Sequence, residues 1–367
     1  SHFLIVSLCR SGSKDMTYLL AGDIGGTKTL LRLVKPESPD RSEYEQIYSS
    51  QEYADLVPIV SKFLSAAQIH LGGEIELKIA CLAIAGAVID RSSYLPNLGW
   101  HLNADRLQQE LHISCVELIN DFAAVGYGIS QLPPNDLHTL QIGQPQQNAP
   151  KATIGAGTGL GEGLLIHNGK DYQVISTEGG HTDFAAQSPQ EFAFVRYLCQ
   201  QQQIDRVSND RVISGRGIVA LYQYLRDTSN LSENPDLANV VKIWEAQIEK
   251  LVDPAALISA MAMPPSDGDP NAKRDPLSTA TMRMFISAYG AEAGNLALKI
   301  LPYGGLYLAG GIAAKNLPLL SDGTFIWAFN HKGRVSELLG KVPVYVILNS
   351  QVGLIGAAAR AANLAKM

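Results

Sequence analysis

The residues that could do chemistry are concentrated in short stretches where glycine meets a carboxylate, a hydroxyl or an imidazole. The first is Asp23-Ile-Gly-Gly-Thr-Lys28. Its paired glycines, Gly25 and Gly26, permit a tight turn, and without Cβ atoms their backbone N–H groups can approach an anion. Thr27 adds a hydroxyl donor, and Asp23 suits a Mg2+ ion held through water. The same pair also fits an ordinary turn between two strands. The second stretch, Gly155-Ala-Gly-Thr-Gly-Leu-Gly-Glu-Gly163, has glycine at every second position. It matches neither the GxGxxG fingerprint nor a P-loop. In an extended chain this period sets all the glycines on one face, which weakens a strand unless something packs on it. A phosphate on the bare N–H groups of Gly157 and Gly159, with the Thr158 hydroxyl donating, supplies such a reason. A third pair, Gly310-Gly311, could contact an adenosine or simply open a helix.

Two polar clusters complete the set. Asn120-Asp121 follows a strand and enters a helix, where an Asp is often an N-cap. Glu178-Gly-Gly-His181 sets a carboxylate and an imidazole around a flexible pair. That is poor metal spacing, but it suits several hydrogen bonds to a polyol.

These residues need elements to position them. Tyr18–Asp23 and Thr29–Val34 read as strands joined by Gly25-Gly26. Leu56, Ile59, Val60, Phe63, Leu64, Ala67 and Leu71 form an amphipathic helical stripe, with Asp55 before it and Gly72-Gly73 behind. Leu77–Ala85 reads as a buried strand, followed by a loop ending at Trp100. Cys115–Ile119 reads as another strand, delivering Asn120-Asp121 to a helical start. The proline- and glutamine-rich stretch after 131 marks a domain boundary. Beyond it come helices over 190–203, 239–251 and 277–300, an exposed loop over 264–276, and a strand over 305–309. The alanine-rich tail from Val352 reads as a helix that packs back on the first domain. Strands alternating with helices indicate an α/β architecture.

Composition sets the outer limits. At 367 residues the chain is long enough for two domains, and 46% hydrophobic residues is enough for sizeable cores. A net charge of −6 with no basic run excludes a nucleic-acid face. Cys9, Cys81, Cys115 and Cys199 are isolated, which argues against zinc and for reduced thiols in a cytoplasmic protein. The apolar run Phe3–Cys9 is too short to span a bilayer and lacks the flanks of a signal peptide. Residues 1–16 are read as a poorly patterned extension outside the fold.

The order DIGGTK, IND, GTGLG, EGGH, SxxRVxSG and AGG resembles that of the bacterial glucokinases, from about residue 18 to about 360. These belong to the actin-like, ribonuclease-H-like phosphotransferases that include hexokinases. Six ordered motifs are far more specific than any one of them. The resemblance implies two α/β domains closing on a cleft, a small one over 17–131 and 350–367 and a large one over 132–349. It implies ATP-dependent phosphorylation of glucose at O6, the first step of glycolysis, in a cytoplasmic homodimer. Asp121 would be the catalytic base, since a carboxylate with an ordinary pKa near ~3.9 is ionised at neutral pH. Asn120, Glu178 and His181 would hold sugar hydroxyls. The ATP phosphates would lie between the turns carrying Asp23, Gly25, Gly26, Thr27 and Lys28 and Gly157, Thr158 and Gly159, with Gly310 and Gly311 nearby and Mg2+ on Asp23 through water. Closure would keep water from the phosphoryl group.

The chain departs from the family pattern at Asp210, where relatives carry glutamate. One methylene shorter, Asp210 would reach its hydroxyl through water, or would only cap a helix beginning near Arg211. The cysteine-rich zinc motif of the related sugar-kinase and repressor group is absent, as is a preceding helix-turn-helix. Another hexose or an aminosugar, a donor such as polyphosphate, or a non-catalytic sensor are the rival readings.

Overall fold

The computed structural model describes residues 16–246, 253–264 and 274–366. Residues 1–15, most of the loop read over 264–276 and the end of the helix read over 239–251 lie outside this set. The chain divides into two compact units. One runs up to Gln131 and resumes at Gly353; the other is Leu132–Val352.

The first unit is built on a five-stranded sheet. Its strands are β1 (Met16–Ile24), β2 (Lys28–Lys35), β3 (Ser38–Ser49), β4 (Ile75–Ile84) and, after a separate hairpin of β5 (Ser92–Leu95) and β6 (Trp100–Asn103), β7 (Cys115–Asn120). The order is β3-β2-β1-β4-β7. β1, β2 and β3 pair antiparallel, whereas β1, β4 and β7 run parallel. Their runs of apolar side chains are buried, among them Leu20, Ile24, Leu82 and Ile84. Buried on both faces, the parallel strands read as continuous hydrophobic runs rather than alternating ones. The helix Leu56–Leu71 carries Ile59, Val60 and Phe63 into this core, capped by Asp55 and ended by Gly72 in the left-handed region. The hairpin β5–β6 was not legible as strands. It falls where the sequence reads as loop, and its buried Leu95, Trp100 and Leu102 hold it to the core.

The second unit repeats the pattern. β8 (Leu137–Gln141), β9 (Lys151–Ala156), β10 (Leu160–His167), β11 (Tyr172–Thr177), β12 (Leu306–Ala309) and β13 (Val344–Ile347) form a sheet in the order β11-β10-β9-β12-β13-β8. β11, β10 and β9 are antiparallel and β9, β12 and β13 parallel. Taken from β11 to β13, this is the arrangement of the first sheet again, with β8 added at an edge. The long helix Pro276–Ile300 packs in its core through Phe285 and Tyr289. Gly290 and Gly294 let it approach the helix Thr324–Asn330, where a Cβ would overlap the carbonyls of Phe325 and Phe329.

The tail helix Val352–Leu364 joins the first unit from Gly353 onward. Arg360 clasps Glu117 of β7 through two bonds of 2.7 and 2.8 Å. Gly356 lies so close to the helix Asp121–Ile129 that a Cβ would overlap the Ala124 carbonyl. The tail therefore braces the helix that begins at Asp121.

Candidate active site

In the first unit the candidate residues gather at the carboxyl edge of the parallel strands. Ile24, Ile84 and Asn120 stand in one register across β1, β4 and β7. Asp23 is thus two strands from Asn120-Asp121, about 10 Å at the usual strand spacing. Open-sheet α/β proteins bind ligands at this edge. Asn120 is the N-cap of the helix Asp121–Ile129, its Oδ1 accepting from Phe122 N at 2.8 Å while its Nδ2 donates to Gly86 O at 3.1 Å. The cap is therefore Asn120, and Asp121, the first helical residue, is not needed for it. Asp121 Oδ1 also lies 2.9 Å from Phe122 N.

The turn Gly25–Thr27 links β1 and β2. Gly25 N donates to Lys28 O, and the Ser50 hydroxyl donates to Gly25 O at 2.8 Å. Thr27 and Lys28 are exposed. Burial raises the Asp23 carboxyl above its usual pKa, and among the described residues no cationic side chain offsets it. An added cation would relieve that cost. One hard carboxylate fits Mg2+, which retains waters and takes its other ligands from substrate phosphates. Among the described residues no group of three or more His, Cys, Asp or Glu side chains is placed to hold a metal alone.

In the second unit the glycine run is not one extended face. The chain reverses at Gly157–Gly159, so that Gly155 and Gly161 face each other across β9 and β10. Gly157 N donates to Gly159 O at 2.8 Å, and Gly157 O accepts from Gly215 N at 2.9 Å. The run is thus divided between two antiparallel strands, and the turn that joins them carries Thr158. Beside it, β12 pairs Ala309 with Gly155 and runs into Gly310, whose φ of +88° favours glycine. A Cβ there would stand 2.7 Å from Ala156 O. The two glycine turns are thereby neighbours at one sheet edge.

Gly157, Thr158 and Gly311 line a cavity of about 600 Å³ with Arg216, Trp244, Asp253, Lys315 and Asn316. Its size lies within the range of small-molecule sites. Gly159 and Gly310 support its wall without being among its lining residues. The helix Gly215–Thr228 begins at the cavity, capped by Ser214, whose Oγ accepts from Gly217 N. Backbone N–H groups at a helix start favour an anion. Asn316 is fixed by Ser259 and by its own bond to Ile312 O.

Glu178, His181 and Asp210 come together in the same unit. His181 Nε2 is 3.7 Å from Glu178 Oε2, and its Nδ1 is 3.7 Å from Asp210 Oδ1. Glu178 and His181 are exposed side chains, while Asp210 is buried and accepts from the Ser208 hydroxyl. Asp210 does not cap its helix. The segment Asn209–Val212 has Ser208 at the N-cap position, and no side chain caps it.

Sequence reasoning missed the cavity residues Arg216, Trp244, Asp253, Lys315 and Asn316. Arg216 had a local signal, since it follows the Ser214-Gly215 pair; the others come from separate helices and share none. It also missed Glu162, a buried carboxyl under the Glu178–His181 turn.

Two units built on one repeated strand order, with glycine turns at the sheet edges, define an actin-like two-domain α/β phosphotransferase fold. The glucokinase family model matches residues 20–364, and the chain belongs to the glucokinase family. It is 53% identical over 354 residues to the glucokinase of Nostoc punctiforme, covering 95% of this chain and 100% of that protein. Among solved structures, a glucokinase from an Antarctic psychrotroph is 28% identical with a TM-score of 0.72, covering 94% of this chain and 99% of that one. A glucokinase from Streptomyces griseus, solved with glucose and AMPPNP, shares the fold at 20% identity and a TM-score of 0.59, covering 94% and 99%. No helix among the described residues is long and apolar enough to cross a membrane.

Proposed function

We propose that the chain transfers the γ-phosphoryl group of ATP to O6 of glucose, giving glucose 6-phosphate and ADP. The observation that carries the sugar assignment is the convergence of Glu178 and Asp210 on His181, each at 3.7 Å. Carboxylates that accept and an imidazole that donates or accepts match vicinal hydroxyls. Family membership and the glucose and AMPPNP bound to the Streptomyces griseus protein support the same reading.

On this reading Asn120, Glu178, His181 and Asp210 orient the sugar, and Asp121 takes the proton from the O6 hydroxyl as it attacks. Asn120 is the residue at the N-cap position, and Asp121 follows it as the first helical residue. Thr158 and Gly159 hold phosphate oxygens in the turn that Gly157 closes through its bond to Gly159 O, while Gly310 and Gly311 let the nucleoside approach the cavity wall. Gly26, Thr27 and Lys28 offer a second set of donors to the phosphates, and Gly25, whose N–H is taken by Lys28 O, closes the turn that presents them. Asp23 would hold Mg2+ through water, and the ion would neutralise charge on the phosphoryl oxygens. In-line transfer then rests on positioning and electrostatics rather than covalent participation. A cytoplasmic homodimer completes the reading, and sedimentation would test its oligomeric part.

A coupled ADP-release assay with ATP across glucose, mannose, fructose and N-acetylated hexosamines tests the substrate. Glucose is expected to give the highest kcat/KM. A hexosamine ranked above it would overturn the assignment.

A further inference from the structure

The turn Glu178–His181 rests on a buried carboxyl that the reaction above does not use. Glu162 of β10 is 2% exposed, and its Oε1 has no hydrogen-bond partner. Its Oε2 is pressed so close to Gly179 that a Cβ on that residue would overlap it. Gly179 is half-buried and covers this oxygen on its own side. The cross-strand partner Thr177 ties the same spot together: its hydroxyl donates to Glu162 O at 3.1 Å and accepts from Gly179 N at 3.2 Å. A Cβ at 179 would have to displace the Glu162 carboxyl from this position.

The surroundings disfavour a charge on Glu162. The helix Pro276–Ile300 presents Tyr289, Glu292 and Lys299 toward it, and Glu292 is itself 4% exposed. Lys332 faces Glu292, which also bonds to Asn295 and Asn209. The turn above carries Glu178 and His181, and the neighbouring short helix carries Asp210. Burial, then Glu292, push the Glu162 carboxyl up to about 7, with Lys299 opposing. Burying an unpaired neutral oxygen costs far less than burying an unpaired charge. An ionised Glu162 therefore gains by drawing in water, and Gly179 stands in the way.

We propose that Glu162 is a positioning residue for the hexose-binding turn: its uncharged carboxyl seats Gly179, and loss of its proton unseats the turn and weakens glucose binding while leaving the nucleotide site unchanged. This rests on the reading of Glu178 and His181 as sugar ligands. By linkage, glucose that binds the protonated form better raises the carboxyl's pKa in the complex. A difference of one unit between free and glucose-bound enzyme limits the effect to about tenfold in KM.

The test is the pH profile, from 6 to 9, of KM for glucose and KM for ATP in the full chain and in Glu162→Gln, which holds the neutral shape at every pH. For the natural residue, KM for glucose is expected to rise by up to about tenfold above neutral pH. In Glu162→Gln that rise should vanish, with KM at the low-pH value. KM for ATP should follow one profile in both. A rise that persists in Glu162→Gln overturns the proposal, and a catalysed glucose reaction with a flat profile in the natural protein does so too. Absence of any glucose binding would instead overturn the reading beneath it. Should Glu162→Gln fail to fold, Glu292→Gln decides. Removing that like charge lowers the pKa of Glu162, so the rise in KM must begin at lower pH; an unmoved profile overturns the proposal.

Discussion

His181 sets its Nδ1 3.7 Å from Asp210 Oδ1, so Asp210, where the resemblance implies a glutamate, stands within the proposed sugar cluster. The second oxygen of Asp210 stands 3.8 Å from Arg216, which lines the proposed nucleotide cavity. One buried carboxylate thus touches residues of both proposed subsites.

The sugar side should dominate. A charged-acceptor hydrogen bond is worth about 1.5–3 kcal/mol, and a water-bridged one falls at the low end. Asp210→Ala is expected to raise KM for glucose by about tenfold. KM for ATP should move far less, because Arg216 is 65% exposed and exposed pairs contribute about 0–1 kcal/mol. Asp210→Glu should be tolerated or tighten glucose. Steady-state kinetics on both substrates check this, and an unchanged glucose KM in Asp210→Ala would remove the residue from the sugar site.

Asp121→Asn tests the base. The amide keeps the shape but cannot take the proton, and general-base terms are worth about 10²–10⁴-fold. Turnover should fall by that factor while glucose affinity, measured by calorimetry, changes little. Because the N-cap is the neighbouring Asn120, the variant should remain folded, losing at most the ~0.3–1 kcal/mol that an acid contributes in a helix's first turn. Near-normal turnover in the folded variant would remove Asp121 from the chemistry.

Asp23→Ala and Thr158→Val separate the nucleotide from the sugar. Thr158→Val should weaken ATP and ADP, and Asp23→Ala should reduce turnover and its dependence on Mg2+. Glucose binding without nucleotide should survive in both, since Thr158 lines the cavity and neither residue belongs to the His181 cluster. Loss of glucose binding in either folded variant would refute the division.

Which features the sequence disclosed follows from how local their causes are. The helix Leu56–Leu71 was legible to its ends, because Asp55 and Gly72 act within one turn of it. The strand that delivers Asn120-Asp121 was legible as an apolar run. The glycine run around Gly157–Gly159 reads as an extended face from the sequence and is a turn between two strands, since register between β9 and β10 is a property of two strands and not of one. The helix Gly215–Thr228 went unread because Gly215 and Gly217 lower helix propensity. Yet Gly217 is required there, as a Cβ would overlap Val212 O. Glu162 was invisible for the same kind of reason: a glutamate two residues beyond Leu160 reads as surface until Gly179 and Glu292 are packed on it.

Gly356→Ala tests whether the tail helix governs the chemistry at a distance. Gly356 lies on the helix Asp121–Ile129, where an added Cβ would overlap Ala124 O and stand 2.7 Å from Gly128 N. Overpacking of this kind costs about 1–3 kcal/mol. The helices must separate or tilt, and Asp121 is the first residue of the one displaced. A lower melting temperature should therefore be accompanied by a lower kcat, with KM for ATP little changed. Gly353→Ala is the control, because a Cβ there meets nothing within 4 Å. It should gain up to about 1 kcal/mol from helix propensity and leave kcat alone. If Gly356→Ala melts lower but turns over normally, the tail helix stabilises the fold without positioning the base.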